Sequence, residues 1–223
     1  MSKKNFSVAM GVALAMVLAV GGVLASNMGF KVNLLMQKAA GGVSATGKNA
    51  LALPFNRQTG LNNSKNLIDD VDLLANITNV QKHIRATDGF QLYTGRGASV
   101  TFALNPGEGY FVRLISSDKN YIAVGSHNPT QSILLQKPAG GISATGKNFY
   151  AHVYHSTATN SKQLLDELGG VANVTNIQKH IRSTDGFQLY TGRGASVTFA
   201  LVPGEAYMIR LISADVNFVP AHY

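Results

Sequence analysis

Residues 78–104 and 175–201 are one stretch written twice. The first reads TNVQKHIRATDGFQLYTGRGASVTFAL, and the second departs from it only by Ile177 for Val80 and Ser183 for Ala86. A catalytic protein needs one site and lets a duplicated copy drift, whereas a module that is stacked, polymerised or used as a repeated surface keeps its copies alike. The duplication thus points to architecture and binding before chemistry. It also divides the chain into two repeats of roughly 95–100 residues, each large enough to bury its own core. We place them at 26–127 and 128–223.

Residues 1–25 are a different kind of sequence. Lys3 and Lys4 precede a small-residue apolar run from Val8 to Leu24, and Val23-Leu24-Ala25 has the small residues of a signal-peptidase site. The expectation is a signal peptide cut near Ala25 or Ser26 and a secreted protein, extracellular or at the cell surface, with the periplasm as the alternative. A retained anchor is the rival reading of a run of about 17 residues. No second run of spanning length follows, so no membrane span is expected in the mature protein. Loss of Lys3 and Lys4 lowers the formal charge from +8 to +6. A basic protein outside the cytoplasm suits an acidic polysaccharide or another acidic cell-surface component better than nucleic acid.

Abundant glycine, few charges and no tryptophan suit a turn-rich β protein, and the absence of cysteine excludes disulfides and thiolate metal sites. Each repeat opens on a strand: Phe30, Val32, Leu34 and Met36 alternate in the first, and Ile133 and Leu135 hold the matching places in the second. A glycine-rich loop comes next at 38–49 and again at 137–148. Gly42-x-x-x-x-Gly47-Lys48 and Gly141-x-x-x-x-Gly146-Lys147 match most of a phosphate-binding loop, but Asn49 and Asn148 lack the hydroxyl that would hold Mg²⁺. Residues 50–55 then read as a strand, not the helix that would face a phosphate. The polar run 56–63 reads as an exposed loop. Helical spacing of Leu67, Ile68 and Val71 predicts one short helix per repeat, capped by Ser64 and by Ser161, with Gly169 stopping the second.

The duplicated stretch reads as a hairpin with Thr87-Asp88-Gly89 at its turn and Gln81, His83 and Arg85 facing outward. A further strand turns Val100, Phe102 and Leu104 to one face, with Phe102 buried in the core. Pro106-Gly107 and Pro203-Gly204 suit type II turns. Residues 110–115 and 207–212 are nearly continuous apolar runs, as expected of central strands covered on both faces. Closing strands are expected at 121–124 and 218–221. The fold class is therefore mainly β: two tandem repeats, each a small antiparallel β-sandwich or partly open barrel with one short helix.

Nothing in the chain assembles a catalytic constellation, and neither a cofactor nor a metal is expected. There is no G-x-S-x-G and no pair of histidines at helical spacing, and Glu108 and Glu205 read as turn carboxylates that pair with backbone amides. Asn76-Ile77-Thr78 and Asn173-Val174-Thr175 are N-glycosylation sequons in form. One repeated surface remains: Lys82, His83, Arg85, Tyr93 and Arg96, with Lys179, His180, Arg182, Tyr190 and Arg193. Basic groups beside an aromatic could hold an acidic glycan, or equally form the contact between one repeat and the next.

Leu53 to Asn56 (LPFN), DGFQLYTG at 88–95 and FALNPGEGYFVRL at 102–114 together resemble a β-rich domain that recurs, often in tandem, in exported and cell-surface bacterial proteins. Both repeats carry the pattern, the second with His152-Val153-Tyr154-His155 for LPFN and Glu205-Ala206 for Glu-Gly. The resemblance implies location and fold, and no catalytic residues. The combined expectation is a secreted, non-catalytic structural or surface protein, the subunit of a filament or surface layer, with further copies of itself as partner. A free N-terminal strand and an uncompleted edge on the second repeat suggest head-to-tail β-strand addition; the same strand folded back on its own repeat is the other outcome. The alternative function is a secreted binding module for acidic carbohydrate.

Overall fold

The computed structural model describes residues 30–39, 44–57, 60–72, 74–126, 128, 130–138 and 143–222. The expected signal peptide lies outside the described residues. In the first repeat the strands are β1 (Phe30–Met36), β2 (Lys48–Ala52), β3 (Asn56–Arg57), β4 (Ile77–Ile84), β5 (Gly89–Tyr93), β6 (Gly109–Leu114) and β7 (Lys119–Ser126), with helix α1 at Ser64–Val71. The second has β8 (Ile133–Leu135), β9 (Lys147–Ala151), α2 (Ser161–Glu167), a 3₁₀ turn (Gly170–Ala172), β10 (Val174–Ile181), β11 (Gly186–Tyr190), β12 (Ala206–Leu211) and β13 (Val216–Phe218). Every strand pair is antiparallel.

Two sheets face each other in the first repeat, ordered β1-β7-β3 and β2-β6-β4-β5. Alternation decides what lies between them. Val32, Leu34 and Met36 of β1 and Tyr121 and Ala123 of β7 point inward, to meet Leu51, Val80, Tyr110, Val112 and Leu114. Helix α1 closes one side with Leu67, Ile68 and Val71. The second repeat repeats this plan with β13-β8 and β11-β10-β12-β9. Its core holds Tyr150, Leu164, Leu165, Ile177, Tyr207 and Ile209, and it also takes in Phe55 from the first repeat.

The opening strand pairs at home. β1 matches β7 residue for residue from Phe30↔Gly125 to Met36↔Lys119, and β8 matches β13 from Ile133↔Phe218 to Leu135↔Val216. Phe30, Val32, Leu34, Met36, Ile133 and Leu135 are therefore intradomain strand residues, and the edge expected to await a strand at the end of the second repeat is occupied by β8. The reason is local: each opening strand lies beside its own closing strand, so the backbone pairs with no second copy.

Four details differ from the sequence expectations. Asn63 and Asn160, not Ser64 and Ser161, cap the helices, accepting from the amides of Asn66 and Gln163; the serine hydroxyls instead accept from Phe102 and Phe199. Around Val100 there is no strand, only an isolated bridge between Asn63 and Ala103, although Phe102 and Leu104 are buried as expected and Val100 is exposed. The strand expected over 50–55 begins and ends earlier, and after a break at Leu53-Pro54 the chain crosses to the other sheet, where Asn56 and Arg57 pair with β7. The second closing strand lies at Val216–Phe218, earlier than expected.

Turn chemistry fits the sequence. Asp88 and Asp185 sit at φ 54° and 55°, the left-handed region that aspartate tolerates, and Gly107 and Gly204 take the positive φ of a type II turn. Asn49 and Asn148, which stand where a phosphate-binding loop has its hydroxyl, fasten the chain after each opening strand. Asn49 Oδ1 accepts from the Gln37 amide at 2.8 Å and its Nδ2 donates to the carbonyls of Gln37 and Gly47; Asn148 does the same with Gln136 and Gly146.

Candidate functional site

The outer face of β2-β6-β4-β5 meets the corresponding face of the second repeat. The contacts come in reciprocal pairs, the signature of two copies related by an approximate two-fold axis. Lys48 Nζ lies 3.0 Å from Asp185 Oδ2 and Lys147 Nζ lies 2.7 Å from Asp88 Oδ2. Arg85 donates to the Leu134 carbonyl and Arg182 to the Leu35 carbonyl. The amides of Ala144 and Ala45 donate to the carbonyls of Arg85 and Arg182, and those of Ala151 and Ala52 to Gly107 and Gly204. Between these polar ties lies an apolar patch of Ala52, Phe111, Phe149, Ala151, Ala206 and Met208, with Phe111 and Phe149 at a centroid distance of 4.7 Å.

Strand position explains why this face carries charge. On β4, Val80 points into the sandwich, so Gln81 and His83 point the other way; both are nonetheless buried, His83 beside Asn148 and Phe149 of the other repeat. Glu108 and Glu205, expected to pair with backbone amides, pair instead with basic residues of their own repeat: Lys82 at 2.8 Å and Arg85 at 3.6 Å for Glu108, Lys179 at 3.3 Å and Arg182 at 3.4 Å for Glu205. His83 Nε2 donates to Asp88 Oδ1 at 3.0 Å, and His180 to Asp185 at 2.9 Å. Each carboxylate thereby joins its own histidine to a lysine of the opposite repeat.

The electrostatics follow from burial. Desolvation lowers the pKa of His83 and His180, and the neighbouring aspartates only partly oppose it. A neutral imidazole is consistent with Nδ1, which is buried and without a partner in both. Burial alone would raise the carboxyls of Asp88 and Asp185; the lysine and histidine on each outweigh it and hold them below the usual carboxylate range.

The ten residues of the expected binding face are therefore split. Lys82, His83, Arg85, Lys179, His180 and Arg182 lie at or beside the contact between repeats, the second of the two uses the sequence left open. Tyr93 and Tyr190 are core residues of their own repeats. Arg96 and Arg193 are exposed elsewhere and donate to the carbonyls of Leu74 and Val171. A cavity of about 30 Å³ lies beside Arg85, Glu108 and Leu134, and one of about 10 Å³ beside Arg182, Glu205 and Leu35. These volumes suit one or two water molecules.

Asn76 and Asn173 are not open acceptors for a glycan. Both are buried; Asn76 Oδ1 accepts from Ser116 and Ser117, and Asn173 Oδ1 from Ser213 and Ala214, while their amide nitrogens donate to Asp72 and Leu168 respectively. Among the described residues no group of three or more histidine, aspartate or glutamate side chains could hold a metal ion, and no helix is long and apolar enough to cross a membrane.

Sequence reasoning missed Lys48, Lys147, Asp88 and Asp185 as functional residues. Their signal was present as opposite charges at repeated positions, which a two-fold contact pairs twice. Searches of protein-family models, curated proteins and solved structures return no match for the chain.

Proposed function

We propose that the protein is a secreted, non-catalytic structural or surface protein, and that its two repeats form one rigid building block of an extracellular filament or surface layer. The observation that carries this reading is the reciprocal contact: the near-identical stretches place Asp88, Asp185, Arg85 and Arg182 where each repeat holds the other. A duplicated stretch used in this way has a structural reason to stay duplicated. Because β1 is already paired along its whole length with β7, the proposed assembly does not draw on a donated N-terminal strand. The resemblance to tandem domains of exported bacterial proteins and the signal-like residues 1–25 support the location.

The test is fractionation of a bacterial host producing the full chain, with N-terminal sequencing and negative-stain microscopy of the exported material. The expected product begins near Ser26, lies outside the cytoplasm and forms ordered assemblies. An intact N-terminus in the cytoplasmic fraction would overturn the reading.

A further inference from the structure

Among the described residues, β5 pairs only with β4 and β11 only with β10, so each main sheet ends in a strand with one edge unpartnered. At the other end of each sheet, β2 and β9 are tied to the opposite repeat through Ala52 and Ala151. The two outer edges carry the same five residues, Gly-Phe-Gln-Leu-Tyr, with no charge and no proline. Natural sheets usually protect a free edge with lysine, proline, a bulge or a covering loop. Here Phe90 and Leu92, and Phe187 and Leu189, instead leave large apolar side chains partly exposed, Leu92 and Leu189 by nearly half.

We propose that β5 and β11 are the assembly edges, and that the occupant of each is the equivalent edge of a second copy of this chain. Antiparallel pairing centred on Gln91 and a partner's Gln188 sets Phe90 against leucine and Leu92 against phenylalanine, an aromatic–aliphatic match on both sides of the centre. The new contact is continuous with the contact between repeats, because Phe90 packs on Phe111 at 5.7 Å and Phe111 on Phe149. It also gives partners to the backbone groups that every second residue of an edge strand turns outward. Since the edges are identical, either pairs with either. Two edges per chain make an assembly that need not close on itself.

The inference rests on the proposed structural role and is tested separately from it. Chains starting at Ser26 are compared by analytical ultracentrifugation and negative-stain microscopy: the unsubstituted chain, Leu92→Lys, Leu189→Lys and the double variant, each checked by circular dichroism and thermal unfolding. The expected result is concentration-dependent polymers of the unsubstituted chain, dimers for either single variant and monomers for the double variant, with folding unchanged. Polymers that persist in the folded double variant overturn the edge assignment while leaving the structural role intact. A strictly monomeric unsubstituted chain at millimolar concentration overturns the edge assignment too. Should lysine unfold the chain, Leu92→Thr with Leu189→Thr removes the same apolar contact on a residue suited to strands, and loss of polymers is again the expected outcome.

Discussion

The two repeats agree where charges meet and differ where apolar surfaces meet. Lys48 and Lys147 answer Asp185 and Asp88 in near-identical geometry, yet the packing between those ties is unequal. Phe111 of the first repeat packs on Phe149 of the second, and the equivalent pair, Met208 and Ala50, sits in the same cluster with the bulk removed from one side. Across the contact Gly109 faces Ala206, and a Cβ on Gly109 would lie 2.4 Å from that of Ala206. Two identical surfaces cannot both put a methyl group on one spot. The two faces are therefore complementary and not identical.

The comparison can be broken most strongly in the cores. Phe102 and Phe199 are equally buried, and replacing either with alanine is expected to cost about 3–5 kcal/mol in urea unfolding. Phe55 should behave like them and Tyr154 should not. Phe55 is 5% exposed within the second repeat's core, whereas its counterpart Tyr154 is 42% exposed. Phe55→Ala is therefore expected to cost about 3 kcal/mol or more and Tyr154→Ala under about 1 kcal/mol, the range of exposed positions. Equal losses would contradict the asymmetry.

The repeats should also differ in their response to pH. His152 stands where the first repeat has Leu53, and burial lowers its pKa to about 4. A histidine whose folded pKa is depressed is neutral in the fold and charges more readily when unfolded. Its stabilising effect is present above the unfolded value near 6.5 and is lost as pH falls through about 4. The loss should approach about 3 kcal/mol between those limits. His83 and His180, also depressed, and Asp88 and Asp185, held low, act in the same direction, and Glu167, raised by burial, acts in the opposite one. Thermal unfolding from pH 7 to pH 4 should thus show falling stability, and His152→Leu should flatten part of the slope. An unchanged slope in that variant would show that His152 is not buried as described.

Gly109→Ala should destabilise by roughly 1–3 kcal/mol, because the added methyl overpacks the contact. Moving the methyl across with Gly109→Ala and Ala206→Gly together should recover most of the loss, which a double-mutant cycle measures. The smallest effect belongs to the cross-repeat ion pairs. These are partly exposed, so Lys48→Met or Lys147→Met should cost about 1 kcal/mol or less, diminishing with added salt.

Much of the fold is legible in the sequence because its causes are local. Inward alternation on β1 and β7, left-handed Asp88 and positive-φ Gly107 arise from residue type and spacing alone. The continuous apolar run of β6 implies a strand covered on both faces, and Tyr110 and Val112 on one side and Phe111 on the other provide that cover. For Phe102 and Leu104 the expected burial is right and the expected strand is not, since burial of alternate residues does not require a strand. The site is half legible. Repetition singles out Lys82, His83 and Arg85, but periodicity does not tell which surfaces meet, and the partner of Lys48 lies 137 residues away. The opening strand has two places to pair, and only the proximity of β7 in the fold decides between them.

If the repeats form a single locked unit, cutting the chain between them should leave that unit whole. A protease site inserted at Asn128, between β7 and β8, is cut in the folded protein, and the product is sized by chromatography at micromolar concentration. The two fragments are expected to elute together as one particle of unchanged size, and to separate when Gly109→Ala, Lys48→Met and Lys147→Met are combined. Two independently eluting, folded fragments from the unsubstituted protein would show that the repeats are not locked.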